Sequence, residues 1–123
     1  MDMSLTKDDL DVRQRAEEFT RKFLYPHEEA LDENDALPDA TETAIRQAVL
    51  DYKLNAVNHA PEFGGQGMTI VQQCIVNEAV GSATNALWGR VWQPPICLKD
   101  GTPEQIEKYL LPACRGEIST SFC

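Results

Sequence analysis

A chain of 123 residues with 42% hydrophobic and 25% charged side chains suits one globular domain with a modest core, not a disordered segment. Its 20 acidic residues outnumber 11 basic ones, for a net charge of −9, and no basic cluster is visible, which argues against nucleic acid as a partner. No apolar run reaches the roughly 18 residues of a membrane span, and Met1-Asp2-Met3-Ser4 has neither signal-peptide nor transit-peptide character, so a cytoplasmic chain with reduced thiols is expected.

Five helical segments are predicted. In the first, over residues 6–34, Val12, Ala16, Phe19 and Phe23 share one face. Thr6 and Asp9 resemble a capping pair at its start, and Pro26 breaks or kinks it. The second spans residues 39–52, with a stripe of Ile45, Ala48, Val49 and Tyr52 and a capping box of Asp39 and Glu42. Residues 55–68 read as a loop punctuated by Pro61, Gly64, Gly65 and Gly67. The third helix starts at a Thr69–Gln72 cap. Its apolar residues Ile70, Val71, Cys74, Ile75, Ala79 and Val80 mark it as central to the core.

The fourth segment, residues 85–99, is expected to be helical to about Gln93 and then kinked by Pro94 and Pro95. Trp88 and Trp92 would share a face of that helix, with Leu87 and Val91 enlarging the apolar surface. Core packing is the default reading of that surface; the wall of an apolar ligand pocket, with room left beside Gly89, is the sharper one. The fifth helix has Thr102 at the N-cap, Pro103 at the first position and Gln105 at the third. Ile106, Tyr109, Leu110 and Ala113 form its stripe, and Gly116 suits the position after the C-cap. Residues 118–123 alternate weakly and read as the opening of a β-strand, which needs a partner. The fold class is therefore all-α, an up-and-down domain of five to six helices with the start of a strand at its C-terminus.

Residue chemistry alone names no reaction. The glycine loop 61–67 is neither a P-loop nor a GxGxxG fingerprint and reads first as a structural turn. His27 and His59 have no metal-ligand spacing and read as surface or turn histidines. Cys74, Cys97, Cys114 and Cys123 are widely spaced with no CxxC, so no metal site is expected, and Cys74 and Cys114 read as small buried hydrophobes. The neighbouring carboxylates Glu17-Glu18 and Glu28-Glu29 point about 100° apart on a helix and read as solvated faces.

Four blocks in order carry a resemblance. Pro61-Glu62-Phe63-Gly64-Gly65-Gln66-Gly67 resembles the P-E-[YF]-G-G-x-G loop of acyl-CoA dehydrogenases, and Val76-Asn77-Glu78-Ala79-Val80-Gly81 resembles their E-E-L-G helix end. The segment from Gly101 through Thr102-Pro103-Glu104-Gln105 to Tyr109-Leu110-Leu111-Pro112 is similar to G-[ST]-x-E-Q-K-x-[KR]-[YW]-L-P, and Arg115-Gly116-Glu117 to the x-G-E that follows. Phe122-Cys123 falls where the family begins its [FYC]-x-x-T-E-P strand.

The resemblance implies an N-terminal helical domain, here residues 1–117, followed by a middle β domain whose beginning would be residues 118–123. It implies noncovalent FAD, oxidation of the Cα–Cβ bond of an acyl-CoA, an electron-transfer flavoprotein as electron acceptor, and a homodimer or homotetramer. Mapped onto this chain, it places Phe122 and Cys123 at the flavin and Leu87, Trp88, Val91 and Trp92 at the acyl pocket. The family's catalytic glutamate belongs to a later domain, so no catalytic residue is assigned and the chain alone is expected to be inactive. Two stretches depart from the pattern: Asn58-His59-Ala60 stands where many members have an apolar run, and Gln93-Pro94-Pro95 precedes a slightly longer connection. Two rival functions are a stand-alone helical interaction module that completes a partner subunit, and an acyl-CoA oxidase or flavin hydroxylase of the same superfamily.

Overall fold

Each well-capped helix begins where its local sequence satisfies the first amides. The computed structural model describes residues 3–121. In α1 (Lys7–Phe19) the Thr6 hydroxyl accepts from the Asp9 amide at 3.2 Å, and the Asp9 carboxylate accepts from the Thr6 amide at 3.0 Å. The helical path does not stop at Phe19. It widens into a π-type turn over Thr20–Leu24, tightens into a 3-10 turn over Tyr25–His27, and resumes as α2 (Glu28–Asn34). Two causes coincide there: Pro26 removes an amide donor, and the Thr20 hydroxyl donates back to the Ala16 carbonyl at 2.8 Å. The break expected at Pro26 is thus a distortion within one long path.

Helix α4 (Ile70–Gly81) starts with the expected Thr69–Gln72 box. Gln72 also donates through Nε2 to the Asp9 carboxylate at 3.1 Å, which ties the starts of α1 and α4 together. At the other end the Tyr25 hydroxyl lies 2.6 Å from the Ser82 hydroxyl. These two ties make α1, with its extension, and α4 run parallel and side by side. Val12, Ala16 and Phe19 from α1 join Ile75, Val76 and Val80 from α4 in the main core.

Helix α3 (Asp39–Asp51) adds Ile45, Ala48 and Val49 to that core. Its C-terminal Tyr52 carbonyl accepts from Arg15 at 2.7 Å, and the Tyr52 ring meets Phe19 and Phe23, each at 5.8 Å between centroids. The last helical stretch is α5 (Pro103–Gln105) and α6 (Leu111–Cys114), joined by a second π-type turn over Ile106–Leu110 ahead of Pro112. Ala56, Leu110 and Cys114 form a small second core against Phe63, Leu98 and Ile106.

The all-α reading holds, and four finer expectations do not. Pro38 occupies the N-cap of α3 without a side-chain bond, and Glu42 turns away to Arg90, so the Asp39–Glu42 box does not form. On α4, Ile70 is 73% exposed, and Val71 and Cys74 are also exposed; only the second half of that stripe reaches the core. Residues 85–93 form no α-helix: Asn85 and Ala86 both take left-handed φ of 55°, and only a 3-10 turn, Leu87–Arg90, follows. Residues 118–121 carry no strand, because an extended segment without a neighbour has no ladder to join; the rest of that expectation, at Phe122 and Cys123, lies outside the described residues.

Two outcomes test this packing. Phe19→Ala should lower the unfolding free energy by about 3–5 kcal/mol, because its ring is fully buried. Ile70→Ala should change it by no more than about 0.5 kcal/mol, and urea titrations of both variants check the contrast. The Asp9 carboxyl is held below its ordinary value of 3.8, first by the Thr6 backbone amide, then by the Thr6 hydroxyl, with a smaller contribution from Gln72. A carboxyl lowered in the folded state stabilises fully above about pH 3.8 and loses that effect as pH falls through the native value. Amide exchange at the start of α1 should therefore speed up on acidification below about pH 4 relative to an Asp9→Asn control.

Candidate functional site

The loop between α3 and α4 is where distant parts of the chain meet. It closes on itself through Gln66 N–H to Ala56 O at 3.2 Å, Gly67 N–H to His59 O at 2.8 Å and Met68 N–H to Val57 O at 3.0 Å. Gly65 makes this closure possible, since a Cβ there would sit 2.2 Å from the His59 carbonyl oxygen and 2.6 Å from that of Ala56. The structural-turn reading of the glycine motif is what the geometry shows.

Two carbonyl oxygens outside the loop each receive two side-chain donors. The Cys114 carbonyl, at the end of α6, accepts from Asn55 Nδ2 at 3.0 Å and from Trp92 Nε1 at 3.0 Å. Asn55 also donates to Gly64 O at 3.1 Å and accepts from Gln66 Nε2 at 2.9 Å, so both polar atoms of this buried amide are paired. The Pro94 carbonyl accepts from Asn58 Nδ2 at 2.8 Å and from His59 Nε2 at 2.9 Å. Because a carbonyl only accepts, the His59 proton sits on Nε2. His59 is 2% exposed, which corrects its reading as a surface residue, while its place in a turn holds. Ala56 N–H donates to Trp92 O at 2.9 Å, completing the attachment of the 92–95 segment to the loop.

The 85–95 segment takes its path from both ends. Glu28 accepts from the Thr84 amide at 2.8 Å through its carboxylate and from the Asn85 side chain at 2.8 Å through its carbonyl, fixing the left-handed turn on α2. Pro94 and Pro95 push the preceding backbone away from helical angles. The four residues expected along one helical wall therefore separate. Leu87 and Val91 are buried in the main core, Trp88 is 57% exposed, and Trp92 is half-buried. The Trp92 ring lies flush on Gly116, where φ is +73° and a Cβ would be 2.6 Å from the ring.

Trp92 faces an open groove of about 710 Å³ between α3 and residues 116–119. Its two guanidiniums are engaged: Arg90 makes a forked pair with Glu42 at 2.7 and 3.3 Å, and Arg46 donates to the Gly116 carbonyl at 2.8 Å. Glu117 pairs with Arg115 at 2.7 Å, which lowers the carboxyl pKa and raises that of the guanidinium. Burial pushes the Cys114 thiol up to about 11, so it is protonated and unreactive at neutral pH. The groove is open to solvent, and its lining groups Glu42, Arg46, Arg90 and Glu117 are already engaged with protein partners. Asn55 and Arg46 were not singled out from the sequence, and Asn58 and His59 were given no site role there. The one available signal was the polar Asn58-His59-Ala60 run before Pro61.

The family described as "Acyl-CoA dehydrogenase, N-terminal domain" matches residues 6–117. Similar curated proteins include the probable acyl-CoA dehydrogenase YngJ of Bacillus subtilis, 27% identical over 99% of this chain and 32% of that protein. The short-chain specific acyl-CoA dehydrogenase of Clostridium acetobutylicum is 27% identical over 95% of this chain and 31% of its own length. The mitochondrial 2-methylacyl-CoA dehydrogenase of Solanum tuberosum is 25% identical over 93% and 29%. A solved structure described as "Electron transferring flavoprotein of Acidaminococcus fermentans: Towards a mechanism of flavin-based electron bifurcation" superposes with a TM-score of 0.74 at 25% identity, over 94% of this chain and 31% of that one. The chain thus spans about a third of the length of these relatives.

The loop closure predicts a steep cost for one methyl group. Gly65→Ala should destabilise the domain by roughly 2–4 kcal/mol, since the new Cβ meets two backbone carbonyls that cannot swing aside. A fall in melting temperature, with loss of the Trp92 indole N–H protection in hydrogen exchange, is the expected measurement.

Proposed function

This chain belongs to the acyl-CoA dehydrogenase family, in its N-terminal domain, and from that premise we propose that it is the helical part of an FAD-dependent enzyme oxidising the Cα–Cβ bond of an acyl-CoA thioester. The family match over nearly the whole chain is the observation that carries this reading. In this proposal residues 1–117 are the helical domain, and residues 118–123 lead into a β domain, with Phe122 and Cys123 beginning the flavin-contacting strand. An electron-transfer flavoprotein as electron acceptor and assembly into a homodimer or homotetramer belong to the same proposal.

FAD does not fit a cradle built from the described residues. The groove beside Trp92 is open, its arginines are already engaged, and Asp39, Glu42 and Glu117 would repel a pyrophosphate. The cofactor is therefore assigned to segments other than these, and no catalytic step is assigned to this chain. What the chain's own residues do is shape and exclude. Trp92 presents an aromatic face at the groove and Trp88 an exposed one, while Leu87 and Val91 anchor the same segment from inside the core. Both tryptophans are proposed to bound the acyl chain, with Leu87 and Val91 as the support that keeps them in place. Among the described residues no helix is long and apolar enough to cross a membrane.

The test is anaerobic titration of the protein at its natural length with an acyl-CoA, followed in the visible spectrum. A flavin band that bleaches on addition supports the dehydrogenase reading. A colourless protein that binds no acyl-CoA sinks it in favour of an interaction module, and hydrogen peroxide release in air on turnover would indicate an oxidase.

A further inference from the structure

We infer that Asn58 and His59 are positioning residues that set which acyl chains the pocket wall accepts, by holding the Pro94 carbonyl; the inference rests on the acyl-pocket reading above. The 92–95 segment is in no helix, and two of its residues are prolines without an amide to donate. Its path is set by bonds from several sides: the Trp92 indole donates to the Cys114 carbonyl and the Gln93 side chain to Asn77, Trp92 O takes the Ala56 amide, and Pro94 O takes Asn58 and His59.

Those two side chains are committed to that one carbonyl. Neither Asn58 Oδ1 nor His59 Nδ1 has a protein donor, although both atoms are buried. Burying acceptors in this way costs stability, and apolar residues at the same positions would not incur it. The effect gained is a defined position for Pro94, itself fully buried, two residues from the indole that faces the groove. Two stretches 35 residues apart in the chain, one at Asn58 and His59 and the other at Pro94, are thus bonded to each other. A shift of the Pro94 carbonyl moves Trp92 along the backbone and changes the room beside it.

The test uses the protein at its natural length, with a straight-chain series from butanoyl- to octanoyl-CoA as the probe. His59→Phe keeps an aromatic ring, larger than imidazole, and removes the donor. His59→Gln keeps an amide N–H at a reach similar to Nε2. Asn58→Ala removes the other donor from a half-buried site, and it decides the question if His59→Phe does not fold. The expected result is a change of about tenfold in the octanoyl-to-butanoyl ratio of kcat/KM for N58A and H59F, mainly through KM. H59Q should restore the wild-type ratio, and the Trp92 indole N–H resonance should shift in N58A and H59F but not in H59Q. Wild-type ratios in N58A and H59F, with turnover intact, overturn the inference and leave the dehydrogenase reading standing. A wild-type protein that oxidises none of the series overturns both.

Discussion

Asn55 sits at the crossing of three segments, and its amide is spent in three directions: to Gly64 within its own loop, to Cys114 at the end of α6, and from Gln66 on the return of the loop. Each unpaired buried polar atom costs about as much as a lost hydrogen bond, and Asn55 leaves neither its nitrogen nor its oxygen unpaired. The loop must therefore take one conformation, and α6 must end against it. Trp92 then donates to the same Cys114 carbonyl and lies on Gly116, so the groove wall and the chain's path beyond α6 are fixed by the same contact. The helical core supplies burial. This polar crossing decides how the second, smaller core and the groove attach to it.

Helix distortions recur by one device. A π-type turn precedes Pro26 in the first helical path and Pro112 in the last. Each proline removes a donor and crowds the preceding turn, and widening the helix relieves the crowding without ending it. Beyond the second turn, α6 presents the Cys114 carbonyl to Asn55 and Trp92.

Charge plays a local part in an acidic chain. The cations facing the groove are held by Glu42 and by a backbone carbonyl, so they act as struts between α3, the 87–95 segment and the C-terminal end of the domain. Such partly exposed pairs contribute little stability individually. The forked geometry of the Arg90–Glu42 pair sets orientation.

The sequence by itself determined what is local. Thr6, Thr69 and Thr102 each start a helix where expected, because a cap joins residues three apart and needs nothing else. The glycine loop and the end at Gly116 were legible for the same reason: their backbone geometry excludes most other residues. Tertiary structure alone decided the rest. The expected helix over 85–93 gives way to a turn pinned by Glu28, 57 residues away in the chain. His59 is buried because Pro94, 35 residues on, offers its carbonyl. Ile70, Val71 and Cys74 face outward because α1 covers the other side of α4. An apolar stripe says that a face can be buried, whereas which neighbour arrives to bury it depends on contacts between segments that no local pattern encodes.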